Sequence, residues 1–300
     1  MFSLKYILSL LGIYTASYTY SEFKIPLLVL KKELKILKSF FLFNRFFFFK
    51  KNLLLLLRKL SKNYVHNIKV DDFNFKLTFL NYKLSEGIAQ RIEGIREPST
   101  VTAIKSLVKE GNKVLELGSC YGYFTSIMSL CAKKKGKVVA IEGLPNNYKI
   151  LRKNIELNKF KNVFSYNHFL SNNSKSKFIY FDKFADNPYE GIEKHNGNKK
   201  SSPDIKKNDC VRVIRLSDFL KKIKFYPDNI FMDIEGFEVD VLEDLLKNYL
   251  IKKKKPTIVF EIHNTIYKNN KNLNYIKSIL KSKYDYREDS GNLICIPSSN

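Results

Sequence analysis

"KVLELGSCYGYF", residues 113 to 124, is an apolar run that ends on an acid and then breaks into two glycines four residues apart. The run reads as a buried strand, and Gly118 and Gly122 let the backbone turn sharply and come close to a ligand. Ser119, Cys120 and Tyr121 fill the gap between them. In an open parallel sheet the loop after such a strand is the usual ligand cradle, at the carboxyl end of the strands. The spacing is G-x-x-x-G. It lacks the G-x-G-x-x-G of dinucleotide sites and the G-K-[ST] of phosphate loops, so neither a pyrophosphate nor a triphosphate is expected.

Short apolar strands recur on both sides of this stretch. "FNFKLTFL" (73 to 80) alternates as a strand does, and "PSTVTAIKSLVKEG" (98 to 111) reads as a helix capped by Ser99 or Thr100, with Gly111 just past its end. "KVVAIEG" (137 to 143), "VFSYNHFL" (163 to 170), "NIFMDIEG" (229 to 236) and "PTIVFEIH" (256 to 263) follow as strands, the first of them set off by helical stretches. Strand and helix in alternation imply an α/β fold with a mostly parallel, Rossmann-like sheet covered on both sides. "YDYRED" (284 to 289), a Ser290-Gly291-Asn292 turn and "LICIPS" (293 to 298) close the chain as an antiparallel hairpin. Residues 182–209 hold few large apolar side chains and many Asn, Lys, Ser, Gly and Pro, and read as one long surface loop.

The first sixty residues differ from the rest. From Met1 to Lys62 twelve Lys/Arg face only two acids, Glu22 and Glu33, among blocks such as "FFLFNRFFFF" and "LLLLL". The longest uncharged run, Tyr6 to Ser21, is sixteen residues, short of the roughly 20 that a membrane span needs. Alternating apolar and basic blocks suit helices lying on an anionic lipid surface, or a helical hairpin packed on the domain. Residues 1–69 are therefore set apart as a basic, apolar segment and residues 70–300 as the main domain. The net charge of +24 also raises nucleic acid as a partner. No RNA-binding motif accompanies it, and a chain rich in Lys, Asn, Ile and Phe without Trp has the composition of an AT-biased genome. The four cysteines are far apart and form neither a metal-ligand spacing nor a disulfide framework, which favours a reducing, cytoplasmic compartment.

Two acids give the loop its chemistry. Glu142 ends the second strand, about twenty residues after the loop, where a carboxylate accepts hydrogen bonds from both hydroxyls of a ribose. Glu116, just before Gly118, would repel a pyrophosphate but suits a ligand that carries an ammonium and a sulfonium. S-adenosylmethionine is the cofactor with those groups.

The segments "VLELGSCYGYFT", "VVAIEGLPNNYKILRKNIELNKFKNV", "RLSDFL", "FMDIEGFEVDVLEDL" and "PTIVFEIH" resemble, in order and spacing, the FkbM-type methyltransferases of the class I S-adenosylmethionine-dependent group. The resemblance spans about Pro98 to His263. It implies that Glu116, Gly118, Ser119, Tyr121 and Gly122 frame the methionine part of the cofactor. It further implies that Glu142 holds the ribose, and that Asn167 and His168 lie near the adenine. Two positions depart from the family pattern: Glu116 stands where Asp is usual, and Cys120 where Asn is usual.

"MDIEG" and "FEIH" end neighbouring strands, with Asp233 and Glu235 on one side of the first pleat and Glu261 and His263 on one side of the second. Methyl transfer from a sulfonium needs alignment and removal of the acceptor's proton. His263 or Asp233 is the expected base and Glu235 the group that positions the acceptor. No metal is expected, although the same side chains have the chemistry of a divalent-cation site. "DNPYEG" (186 to 191) is like the motif with which some methyltransferases hold a nitrogen, but it lies in the long loop, and "MDIEG" takes its place at the fourth strand. An oxygen acceptor is therefore expected, a hydroxyl of a sugar in a glycan or glycolipid. The alternatives are a nucleic-acid methyltransferase and a non-enzymatic, membrane-associated protein on the same fold.

Overall fold

The computed structural model describes residues 65–79, 85–171, 178–180, 210–249, 255–263 and 272–298. The basic N-terminal segment up to residue 64 and the expected loop at 182–209 lie outside the described residues. Among the described residues no helix is long and apolar enough to cross a membrane.

The chain divides into two compact units, Met1–Ile68 with Thr78–Arg96, and Lys69–Leu77 with Glu97–Asn300. In the first, α1 (Glu86–Glu93) begins at Ser85, whose hydroxyl accepts from the Ile88 N–H, and ends at Gly94 in the left-handed region. Strands β1 (Val65–Val70) and β2 (Phe73–Thr78) form a two-stranded sheet, and the boundary that the sequence placed between residues 69 and 70 falls inside β1.

The second unit is built on a nine-stranded sheet. Its strands are β3 (Lys113–Leu117), β4 (Lys137–Glu142), β5 (Val163–Leu170), β6 (Phe178–Tyr180), β7 (Cys210–Ile214), β8 (Asn229–Met232), β9 (Thr257–Glu261), β10 (Tyr284–Asp289) and β11 (Asn292–Pro297). They lie in the order β10-β11-β9-β8-β3-β4-β5-β7-β6. The β9-β8-β3-β4-β5-β7 block is parallel, and β10, β11 and β6 are antiparallel to their neighbours. This is the expected α/β architecture, down to the terminal hairpin. Ser290 and Gly291, both at positive φ, make its two-residue turn.

Among the described residues five helices follow from the connections: α2 (Pro98–Leu107), α3 (Tyr123–Ala132), α4 (Pro145–Leu157), α5 (Leu216–Lys222) and α6 (Glu238–Asn248). A sixth, α7 (Leu273–Leu280), precedes the hairpin. Right-handed crossovers from β3 through β4 to β5 put α3 and α4 on one face, and the return through β8 to β9 puts α5 and α6 on the other. The second face holds the main core. Leu115, Leu117, Ile141, Ile230 and Phe260 meet Leu220, Leu242, Leu245 and Ile276 there, all at most 1% exposed. Each such side chain contributes ~1.5–3 kcal/mol of burial.

The order of the strands switches at β3: the chain adds β4 and β5 on one side of it and returns to add β8 and β9 on the other, so the loops after β3 and β8 lie side by side. Helix α2 begins earlier than expected. Its N-cap is Glu97, not Ser99 or Thr100, because Pro98 has the fixed φ that suits the first helical position. Its last residue is Leu107, and Gly111 makes the turn beyond.

Candidate functional site

The glycine loop turns within four residues. The N–H groups of Gly118 and Ser119 both donate to the Ile141 carbonyl, at 2.9 and 3.2 Å, and the Gly122 N–H donates to the Ser119 carbonyl at 2.8 Å. The two glycines are required for different reasons. At Gly118, φ +86, a Cβ would fall 1.7 Å from the Asp233 carbonyl oxygen, so the end of β3 and the turn after β8 touch backbone to backbone. At Gly122, φ +87, a Cβ would come 2.8 Å from Leu151 of α4. The Tyr121 carbonyl is fixed by the Asn154 amide at 2.8 Å, and Ser119 is buried.

Cys120 lies between them at φ 48, in the region that Asn adopts more readily than most residues. What the loop uses is its backbone: the Cys120 N–H donates to Glu142 Oε2 at 2.7 Å. A bond from the main chain does not depend on the side chain, so the departure from Asn leaves the loop's closure intact.

Glu142 therefore joins three elements. Its Oε1 accepts from the Leu144 N–H at 2.8 Å, in place of a side-chain cap on α4, and the Asn147 side chain bonds it as well. Three donors on a carboxylate with about four acceptor sites leave room for one more. Glu116 is held by the Thr125 hydroxyl. Burial pushes both acids up to about 7, against the hydrogen bonds that favour their charged forms. Each then holds more of a proton in the folded chain than in the unfolded one between 4.5 and about 7, so stability falls as pH rises through that window. The cost is roughly 3 kcal/mol per group above it. Urea midpoints at about pH 5 and about pH 8 should show this fall, and Glu142→Gln should flatten it; equal slopes in the two proteins would remove Glu142 from the account.

Asn167, opposite Glu142 in the register, spends its amide on the Glu142 and Gly143 carbonyls, at 2.8 and 3.1 Å. His168, the next residue, points to the other face, where it packs against Tyr166 and Phe219. Its pKa is lowered, first by burial and then by Arg212 and Lys222. The two residues expected together are thus on opposite faces of β5.

The second cluster is assembled by turns and not by the strand pleat that the sequence suggested. Strand β8 stops at Met232. The Asp233 N–H still bonds the Leu117 carbonyl at 2.9 Å, but the next N–H, of Ile234, turns to Glu238 Oε1 at 3.0 Å. Glu235, φ 53, and Gly236, φ 94, then swing the chain into α6. His263 lies two residues past the end of β9.

Its ring is enclosed by carboxylates. Nδ1 lies 3.2 Å from Glu238 Oε1, while Nε2 faces Asp233, Glu235 and Glu261 at 3.6, 3.7 and 3.9 Å. The Glu238 side chain is 0% exposed and that of His263 12%, whereas Asp233, Glu235 and Glu261 are 36%, 46% and 39% exposed. Burial alone would lower the His263 pKa. The contact with Glu238, and then the charges of Glu238, Asp233 and Glu261, more than offset it, and the net direction is upward. Asp233 is also pushed up, by burial and then by repulsion from Glu261, Glu235 and Glu97.

Sequence reading missed Glu238 and Glu97. An acid in the first turn of a helix ordinarily favours the helix dipole from a solvated position, and nothing in "GFEVDVL" marks Glu238 as buried. The end of β3 and the turn after β8 meet in an open cleft lined by Glu97, Glu116, Gly118, Phe124, Asp233 and Glu261 among others. Four carboxylates on its walls suit a cationic ligand.

Three solved structures show the level of likeness to known proteins. The fibrillarin of Aeropyrum pernix, with natively bound S-adenosyl-L-methionine, is 13% identical with a TM-score of 0.41 over 66% of this chain and 74% of its own. A SAM-dependent methyltransferase of Aquifex aeolicus is 16% identical with a TM-score of 0.38, over 67% and 90%. TYW2 of M. jannaschii, in complex with AdoMet, is 17% identical with a TM-score of 0.41, over 78% and 83%. No curated protein matches the chain significantly. The family described as Methyltransferase FkbM domain matches residues 116–288, from the acid before the glycine loop to the terminal hairpin. That match covers more than half of the 300 residues, and the chain belongs to the FkbM methyltransferase family.

Proposed function

We propose that the chain transfers a methyl group from S-adenosylmethionine to a hydroxyl oxygen, that of a sugar in a glycan or glycolipid. The supporting observation is the backbone contact at Gly118, which sets the glycine loop beside the turn after β8, so that Glu116, Gly118, Asp233 and Glu261 line one acidic cleft. The lining fits the cofactor, whose ammonium and sulfonium are cationic. Glu116 and the backbone of Gly118, Ser119, Tyr121 and Gly122 surround its methionine part. Glu142, with one acceptor site left, takes a ribose hydroxyl, and Asn167 shapes the strand end beside it. Bound there, S-adenosylmethionine supplies an electrophilic methyl carbon.

The remaining work belongs to the chain. His263 Nε2 takes the proton of the acceptor hydroxyl, and Glu238 behind Nδ1 fixes the ring and stabilises the imidazolium that results. Asp233 is the other candidate base, and Glu235, the most exposed of the carboxylates near Nε2, positions the acceptor. A lipid-linked sugar would suit a first segment rich in apolar and basic residues, with the chain on the cytoplasmic membrane surface.

Calorimetric titration of the full chain with S-adenosylmethionine tests the reading. Binding in the micromolar range is expected, weakened at least ~10-fold, or ~1.4 kcal/mol, in Glu142→Gln. A folded protein that gives no heat of binding would sink the cofactor assignment and favour the non-enzymatic alternative.

A further inference from the structure

We propose that Asp233, Glu261 and His263 form a binding site for one divalent cation of the manganese and magnesium class, at the mouth of the cleft. One oxygen from each carboxylate and one ring nitrogen all lie within 4.8 Å of one another. Neighbouring ligands of an octahedral cation with bonds of ~2.1 Å sit ~3.0 Å apart. The Nε2 distances of 3.6 Å to Asp233 and 3.9 Å to Glu261 therefore need to close by less than ~1 Å. Both carboxylate side chains are more than a third exposed.

Two further observations point to a ligand and not merely to a crowd of acids. Asp233 Oδ1 is buried and has no hydrogen-bond partner, and it faces Nε2. His263 is also backed by a fully buried carboxylate, with Glu238 Oε1 3.2 Å from Nδ1, which aims Nε2 at the two carboxylates. A carboxylate behind one nitrogen and an open site before the other is how metal-binding histidines are held. A mixed set of two carboxylates and one imidazole suits manganese, with magnesium as the harder alternative.

The cation's role rests on the methyl transfer proposed above and, where the ion is bound, replaces only its base, which moves from His263 to Glu235. It would hold two adjacent hydroxyls of the acceptor and make the reacting one more acidic. The proton would then pass to Glu235, 3.7 Å from Nε2 and outside the ligand set, leaving His263 as a ligand in place of a base.

Cation binding can be measured without turnover. The full chain is titrated with manganese chloride, and the free ion is followed by its paramagnetic resonance signal. One bound ion per chain is expected, with affinity lowered at least ~10-fold in each of Asp233→Asn and Glu261→Gln, whose folding is checked by circular dichroism. No bound ion at about 1 mM, or binding that neither substitution weakens, overturns the proposal. Calorimetry with S-adenosylmethionine on the same samples separates the two readings. Cofactor binding without manganese binding removes only the cation, and manganese binding without cofactor binding removes only the methyl-transfer reading.

Discussion

Gly118→Ala should leave little folded protein. A Cβ there would sit 1.7 Å from the carbonyl oxygen of Asp233 and 2.8 Å from its carbonyl carbon, and neither atom belongs to a side chain that can rotate away. The backbone at φ +86 adds ~1–2 kcal/mol of strain for any L side chain. Relief requires β3 and the turn after β8 to part, which breaks the bond from the Asp233 N–H to the Leu117 carbonyl and strains that from the Gly118 N–H to Ile141. The combined loss should exceed ~4 kcal/mol, a large share of the ~5–15 kcal/mol that holds a typical domain. Gly111→Ala is the control. It has the same φ of +86 with nothing within 4 Å, so it isolates the backbone strain from the overlap. Urea midpoints of the two variants should differ by at least ~2 kcal/mol; similar midpoints would mean that the two loops are not locked together as described.

Most of the fold was legible because its strands are short, apolar and ended by glycine or acid. "VFSYNHFL" and "YDYRED" coincide with β5 and β10, and the two-residue turn between β10 and β11 announces itself through Ser290 and Gly291. Strands β6 and β7 escaped notice. The first is three residues long, and the second, "CVRVI", carries a charge at its centre and borders a polar stretch, so neither has a run long enough to show a period. The site was legible in its residues but not in its joints. Asp233, Glu235 and His263 come together as expected, yet through a positive-φ turn and a strand extension that alternation cannot foresee. Glu142 stands where a ribose ligand was expected, but the Cys120 and Leu144 N–H groups already occupy much of it. Long-range bonds of this kind are written in the register between strands, which a single sequence does not display.

Glu238 is the joint whose removal tests the catalytic reading most severely. On the proposed function, His263→Ala should lower kcat by ~10²–10⁴ with cofactor binding retained, the range over which a positioned acid or base acts. Glu238→Gln should approach the same loss although Glu238 is fully buried and does not face the cleft, because the imidazole loses the charge behind Nδ1 and the Ile234 N–H loses its anionic partner. Its stability cost should be the larger of the two, ~3–5 kcal/mol, since it leaves a buried partner uncompensated. The double variant discriminates. If the two residues act as a unit, His263→Ala with Glu238→Gln should be no slower than the worse single variant, as groups working through one another are strongly non-additive. Rate losses that multiply would mean that Glu238 serves only the turn after β8, and that His263 is oriented by something else. A shift of the pH–rate profile in Glu238→Gln, with KM unchanged, is the signature that a purely structural role for Glu238 cannot produce.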